Sequence, residues 1–204
     1  MWGRRFRHLL IFALAGLFIT GCAGPKVYVS KDFASPLRVA VLPMSNQTTD
    51  LDGPPFIRQL IFNKLAERGY TVVPLAEIDA KLQSQGFTEG GQLGAAKPQD
   101  LGQWLGVDGL FYGTVVDFNY INLGYYWQRK VTVMGRLVSV PSGEKFWEAE
   151  KTWMNLNVVT RQQEAERQFA AQLGAKALEK TLHVPLQAES RIAVERLLDT
   201  LPRR

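Results

Sequence analysis

Cysteine and histidine are almost absent from this chain. Its 204 residues hold one cysteine, Cys22, and two histidines, His8 and His183. A single thiol excludes an internal disulfide and the multi-cysteine zinc sites. Scarce imidazole leaves little for Ser–His or Cys–His nucleophilic pairs, or for a histidine-bearing metal site. Long hydrophobic runs are missing too. The apolar stretch from Leu9 to Phe18 is too short for a spanning helix, which needs about 20 residues.

What is present begins at the N-terminus. Arg4, Arg5 and Arg7 precede that short apolar run, and Ile19-Thr20-Gly21-Cys22 follows it. A basic start, an apolar core and small residues at a cleavage point make a secretory signal peptide. The small-small-Cys ending is what bacterial lipoprotein maturation requires. The thiol receives a diacylglycerol, and cleavage frees the Cys22 amine for a further acyl chain. The competing reading, a membrane anchor followed by a chance cysteine, fails on length. Residues 1–21 are therefore expected to be removed, leaving Cys22 as the lipidation site and residues 22–35 as a lipidated tether. Two or three acyl chains hold a protein stably where one does not. Ala23 rather than Asp after the cysteine favours the outer membrane, periplasmic face.

Cleavage changes the balance of charge. Three of the 24 basic residues leave with the signal, so the mature chain sits near neutrality against 19 acidic residues. No basic tract survives to bind nucleic acid. His8 leaves as well, so His183, in Leu182-His183-Val184-Pro185, is the last imidazole. It reads as a helix-terminal residue at the negative end of the dipole. Glu89-Gly90-Gly91-Gln92-Leu93-Gly94 lacks both the Lys-Ser/Thr pair and the glycine spacing of a phosphate cradle, and reads as a flexible loop. No cofactor, metal or catalytic motif is expected, and the chain reads as a non-enzyme.

The body is organised as alternating elements. Leu37 to Pro43 is a buried first strand, and Met44 to Pro55 a polar loop. A helix is expected over 56–68 with Gly69 as its cap, from the spacing of Phe56, Leu60, Ile61 and Leu65. Tyr70 to Pro74 is a second strand, Leu75, Ile78 and Leu82 mark a second helix, and Pro98 opens a third. A long strand runs from Leu110 to Tyr120, with Leu110, Tyr112, Thr114, Val116 and Phe118 alternating against their neighbours. A hairpin joins Lys130–Val140 to Lys145–Met154 across Pro141-Ser142-Gly143-Glu144. A helix over 161–182 would bury Phe169, Leu173, Ala177 and Thr181, and a last helix over 187–201 Val194, Leu197, Leu198 and Leu201. The implied fold is α/β: a mixed sheet of about five strands, parallel in its βαβ part and antiparallel in its hairpin, packed with helices. The α/β domain spans 36–185, with a C-terminal helix at 186–204.

Three stretches carry a resemblance: Arg38-Val39-Ala40-Val41-Leu42-Pro43, the junction from Asp100 to Asp108, and the turn from Val140 to Trp147. Their order resembles the N-terminal domain of TolB and the periplasmic domain of the curli-secretion lipoprotein CsgG. Leu110-Phe111-Tyr112-Gly113 stands for the junction strand, and Ser139 or Val140 replaces the turn's leading Asp. The whole chain is more similar still to a family of bacterial lipoproteins of unknown function, often encoded beside a CsgG-like lipoprotein. The resemblance implies a fold over roughly 36–185 and no catalytic residue. It does not carry the CsgG pore, because the only extra segment, Asn119 to Lys130, is much too short to cross a membrane twice.

Tyr120, Tyr125, Tyr126 and Trp127 surround Gly124 in the link between two strands. They read either as contact anchors for a protein partner or as a cover for the sheet edge. Trp147, Lys151 and Trp153 alternate onto a face that the C-terminal helices would cover. Asp50, Asp52 and Glu77 read as solvated loop carboxylates. Three functions compete. The first is a membrane-anchored scaffold or accessory subunit of a CsgG-like secretion assembly, with envelope lipoproteins or secretion proteins as partners and self-association allowed. The second is a regulator of a peptidoglycan synthase, as LpoB-type lipoproteins are, and the third an envelope hydrolase using Glu148 and Glu150.

Overall fold

The computed structural model describes residues 27–123, 126–158 and 186–204. Residues 1–21, Cys22, Tyr125, the helix expected over 161–182 and His183 lie outside them.

One mixed sheet organises the chain. In chain order its strands are β1 (Val27–Val29), β2 (Arg38–Val41), β3 (Ser45–Asn46), β4 (Thr71–Val72), β5 (Gly109–Asn122), β6 (Tyr126–Ser139) and β7 (Lys145–Val158). They lie side by side as β1-β7-β6-β5-β2-β4, with β3 paired to β5 off that path. β2 pairs parallel with β4 and β5, while β5, β6 and β7 form an antiparallel meander. This is the expected division into a parallel and an antiparallel half. The strand count differs: there are seven, because β1 and β3, of three and two residues, are too short to show a period in sequence.

Helices cover the parallel half on both sides. They are α1 (Gly53–Glu67), α2 (Leu75–Ser84), α3 (Pro98–Leu105) and α4 (Gln187–Leu198). Val39 and Val41 point into one core with Ile57, Ile61 and Leu65 of α1 and Val194, Leu197 and Leu198 of α4. Ala40 and Leu42 point into the other with Ile78 and Leu82 of α2 and Leu101 and Leu105 of α3. A strand buried on both faces needs a continuous apolar run, which is why Val39-Ala40-Val41-Leu42 does not alternate. The helix ends follow the same economy of partners. Pro54 and Pro55 open α1, where no intrahelical N–H is needed, and Gly69 behind it takes a left-handed φ of 89°.

Three expectations are corrected. Val27–Val29, inside the stretch read as tether, pairs antiparallel with β7, placing Val27 opposite Ala149 and Val29 opposite Trp147. A β-branched Val-Tyr-Val segment finds the unpaired edge of β7 there. The glycine-rich stretch is an ordered 3-10 turn over Gly90–Ala95, with Gln92 and Glu89 capping each other. A side chain on Gly90 would collide with the Pro43–Met44 backbone, so that glycine is required by close packing.

The third correction lies in β5. The register slips between Val115 and Asp117, a β-bulge that inserts one residue. A one-residue slip exchanges faces, so Phe118 packs with Phe111 and Val115 rather than with Leu110.

The C-terminus is tied down as its sequence predicts. Val194, Leu197, Leu198 and Leu201 are all buried. Trp147 donates its indole N–H to Thr200 Oγ1 at 3.2 Å, and Tyr70 donates its hydroxyl to the Pro202 carbonyl at 2.8 Å. Arg68 reaches the Leu201 carbonyl at 2.5 Å and the Asp199 carboxylate at 3.3 Å.

Candidate functional site

Two places could serve a partner or ligand: the far end of the antiparallel arm and a cleft at the carboxyl ends of β2 and β3.

At the arm's end the strands run further than their sequence pattern suggests. β5 and β6 continue to Asn122 and from Tyr126, so only residues 123–125 remain as a link. Tyr120, Tyr126 and Trp127 therefore belong to strands, and strand pleating divides them. Tyr120 packs toward the core shared with α1 and α4, and the Arg129 guanidinium lies 5.5 Å over its ring. Arg129 in turn pairs with the buried Glu189 of α4 at 2.7 Å. Trp127, two residues before Arg129, shares that face, and its indole nitrogen is buried without a hydrogen-bond partner among the described residues. Tyr126 lies on the opposite face, donating its hydroxyl to Gln128 Oε1 at 2.7 Å. The described members of the cluster, Tyr120, Tyr126 and Trp127, are thus split between two surfaces.

Trp147 and Trp153 are covered from the C-terminal side as expected. Trp147 is fully buried beside Phe111, and Arg196 of α4 sits 4.2 Å over the Trp153 ring.

The cleft was not singled out from sequence. It measures about 510 Å³ and is lined by Pro43, Met44, Asn46, Leu51, Pro54, Pro55, Arg58 and residues 88–91. In parallel sheets ligands gather at such carboxyl ends. Arg58 is its one buried cation, and every side-chain contact it makes is internal. Its Nε and Nη2 donate to the Val41 carbonyl at 3.0 and 2.9 Å, and Nη1 pairs with Asp79 at 2.7 Å. Burial pulls its guanidinium below the ordinary value, and Asp79 opposes the shift. The start of α1 is equally committed. Asp50 Oδ1 accepts from the backbone of Asp52 at 3.0 Å and of Gly53 at 2.6 Å, and the next two residues are prolines without an N–H. The cleft therefore offers an anion few free donors. One sequence signal marks Arg58: it falls one residue after Ile57 and three before Ile61, on the apolar stripe of an otherwise amphipathic helix.

The carboxylates considered as catalytic or metal-binding are dispersed. Glu77 pairs with Lys81 at 2.8 Å, which holds its carboxyl below the usual value, and Glu148 pairs with Lys145 at 2.9 Å. Asp50 caps α1. Among the described residues no group of three or more His, Cys, Asp or Glu side chains is placed to hold a metal ion. None of the described helices is long and apolar enough to cross a membrane.

A mixed sheet with a doubly covered parallel half and a long antiparallel arm is an α/β architecture shared by solved lipoprotein domains. The family model described as "Putative lipoprotein GNA1162-like" matches residues 28–195, and the chain belongs to that family. The protein described as "Putative lipoprotein NMB1124/NMB1162" of Neisseria meningitidis serogroup B is 27% identical over 145 residues, covering 69% of this chain and 67% of its own. The crystal structure of lipoprotein GNA1162 from Neisseria meningitidis superposes with a TM-score of 0.56 at 22% identity, over 70% of this chain and 99% of that one. The PelC dodecamer from Paraburkholderia phytofirmans gives a TM-score of 0.53 at 15% identity, over 88% and 97%. At these identities the solved structures bear on the fold alone.

Proposed function

We propose that this chain is an acylated, non-enzymatic accessory subunit of a cell-envelope assembly, held at the periplasmic face of the outer membrane through Cys22. The observation that carries the reading is the Ile19-Thr20-Gly21-Cys22 ending, in a chain belonging to a family described as lipoproteins. Support for a scaffolding role comes from the chemistry of the described surfaces. Glu148, Asp50, Glu77 and Arg58 are engaged in pairs and caps that hold the fold. Tyr120 and Trp127, on the arm's α4-side face, are the partner contacts we propose, and Tyr125, outside the described residues, belongs to the same proposal. The proteins they meet are envelope lipoproteins or components of a CsgG-like secretion assembly.

The peptidoglycan-synthase reading is less favoured, and β1 is the reason. With Val27–Val29 in the sheet, four residues separate Cys22 from the folded domain. At ~3.3 Å per residue that lead reaches about 17 Å, so no long tether carries the domain toward the cell wall.

Metabolic labelling with a fatty acid tests the anchor. Label should enter the wild-type protein and be lost in Cys22→Ser, which should accumulate as an unprocessed precursor; label retained in the variant sinks the lipoprotein assignment. Crosslinking in intact envelopes, followed by native mass spectrometry of the detergent extract, reads partners and stoichiometry. Recovery of only unrelated abundant proteins counts against the accessory role.

A further inference from the structure

The face of the antiparallel arm that turns away from α4 changes character halfway along. Near the hairpin it is what a sheet face toward water should be, carrying Arg136, Glu148 and Glu150. Toward the tip, beyond the bulge, apolar side chains enter it although no described helix covers it. Leu123, Met154, Leu156 and Val158 are 59%, 50%, 48% and 56% exposed. Cross-strand register stacks them in rows: Tyr126 beside Val158, Ile121 and Gln128 beside Leu156, then Asn119 and Lys130 beside Met154. Gln128, between the Tyr126 and Lys130 rows, is occupied internally. Gln128 accepts from Tyr126 and donates to Met154 Sδ at 3.4 Å. Charge begins in the Met154 row, two rows in, where Lys130 pairs with Asp117 at 2.8 Å, and hydroxyls follow at Thr132 and Thr152. Apolar side chains and a tyrosine at the tip, with a lysine two rows in, match the layout of a surface that enters the membrane interface.

The chain path says which surface lies there. β1 runs antiparallel to β7, with Val27 opposite Ala149 and Val29 opposite Trp147, so the chain preceding Val27 leaves toward Val158. Val158 is nine residues beyond Ala149, about 30 Å along the strand at ~3.3 Å per residue. Cys22 is five steps before Val27 and reaches at most about 17 Å. With the acyl-bearing residue at the bilayer surface, the arm's tip lies beyond it by at least about 13 Å, enough to carry the rows from Val158 to Met154 past that level.

We infer that the arm's tip is a lipid-contacting wedge, with Leu123, Leu156 and Val158 lodged in the interface of the bilayer that holds the acyl chains. The inference rests on the reading of Cys22 as acylated, and its test separates the two. Full-length protein is purified from a lipoprotein-processing host and reconstituted in phosphatidylethanolamine/phosphatidylglycerol vesicles. Single cysteines are introduced by Val158→Cys, Leu156→Cys, Met154→Cys and Glu150→Cys and labelled with an environment-sensitive fluorophore. Acylated Cys22 does not react, and intact mass reports its acylation directly.

The expected result is several-fold stronger quenching by nitroxide-labelled lipid at 156 than at 150, graded 158 over 156 over 154, with a blue-shifted emission. Equal, water-like emission at all four positions overturns the wedge while leaving acylation standing. A blue shift that lipid nitroxides do not quench, and that unlabelled protein abolishes, also overturns it and assigns the patch to a second copy of this chain. A mass showing free Cys22 removes the anchor, and the wedge falls with it. Circular dichroism identical to the wild type confirms that each labelled variant is folded, and the four positions give independent readings.

Discussion

The parallel half of this sheet and its antiparallel arm are made of similar apolar residues put to different uses. In the parallel half the central strand is served on both faces: Val39 and Val41 meet α1 and α4, Ala40 and Leu42 meet α2 and α3. In the arm only one face is served. Val131 and Val133 are buried with α4's core, while Met154, Leu156 and Val158 face outward half exposed. Burial contributes about 25 cal/mol per Å² only where water is excluded. The first region therefore holds the fold, and the second keeps apolar surface in reserve for something outside it.

Predictions sharpen this contrast in descending size. Trp147, fully buried where the arm meets the body, should be the most costly to truncate. Trp147→Ala removes contacts with Phe111 and the bond to Thr200, and should cost about 4 kcal/mol in chemical denaturation. A cost below that of an ordinary surface change would show that body and arm do not share a core.

The next effect is at the glycine turn. Gly90→Ala drives a methyl into the Pro43–Met44 backbone and should cost about 2 kcal/mol, whereas Gly91→Ala, with open space around it, should stay within ~0.5 kcal/mol. Equal effects at both would return the segment to a loose loop.

A smaller signal is pH-dependent. Lys130, hydrogen-bonded to Asp117, holds that carboxyl below its ordinary value of 3.8. A depressed folded value adds stability that is complete above the unfolded value and is lost as pH falls through the folded one. Asp117→Asn should therefore lower stability slightly above about pH 4 and converge with the wild type at lower pH, flattening the acid limb; the loss is small because the pair is part exposed.

The smallest effect on stability should come from the outward face. Leu156→Ser should shift the unfolding midpoint by no more than ~0.5 kcal/mol. A larger loss would mean that Leu156 belongs to a core and that the contrast is false.

Much of the architecture was legible because it is local. The helical spacing of Ile61 and Leu65, the glycine after α1 and the Pro-Ser-Gly-Glu turn each act within a few residues. The candidate site was legible only in part. Tyr120, Tyr126 and Trp127 were visible as an aromatic cluster, yet which faces they occupy was not. Arg58 was passed over because an arginine in an amphipathic helix is ordinarily read as surface. Only the nearness of the Val41 carbonyl and Asp79 makes its burial tolerable.

By itself the sequence determined the signal-and-cysteine pattern, the order of five of the seven strands and of the four described α-helices, and the division into parallel and antiparallel halves. Those follow from composition, period and chain connectivity. The tertiary structure alone decided where β1 lies, where β5 slips register and which side of the arm is left bare. Each depends on hydrogen bonds between residues far apart: Val27 with β7, and β5 with β6 across the bulge after Val115. A pleated strand presents its two faces in strict alternation, so one inserted residue reverses everything beyond it, and no local pattern announces the insertion.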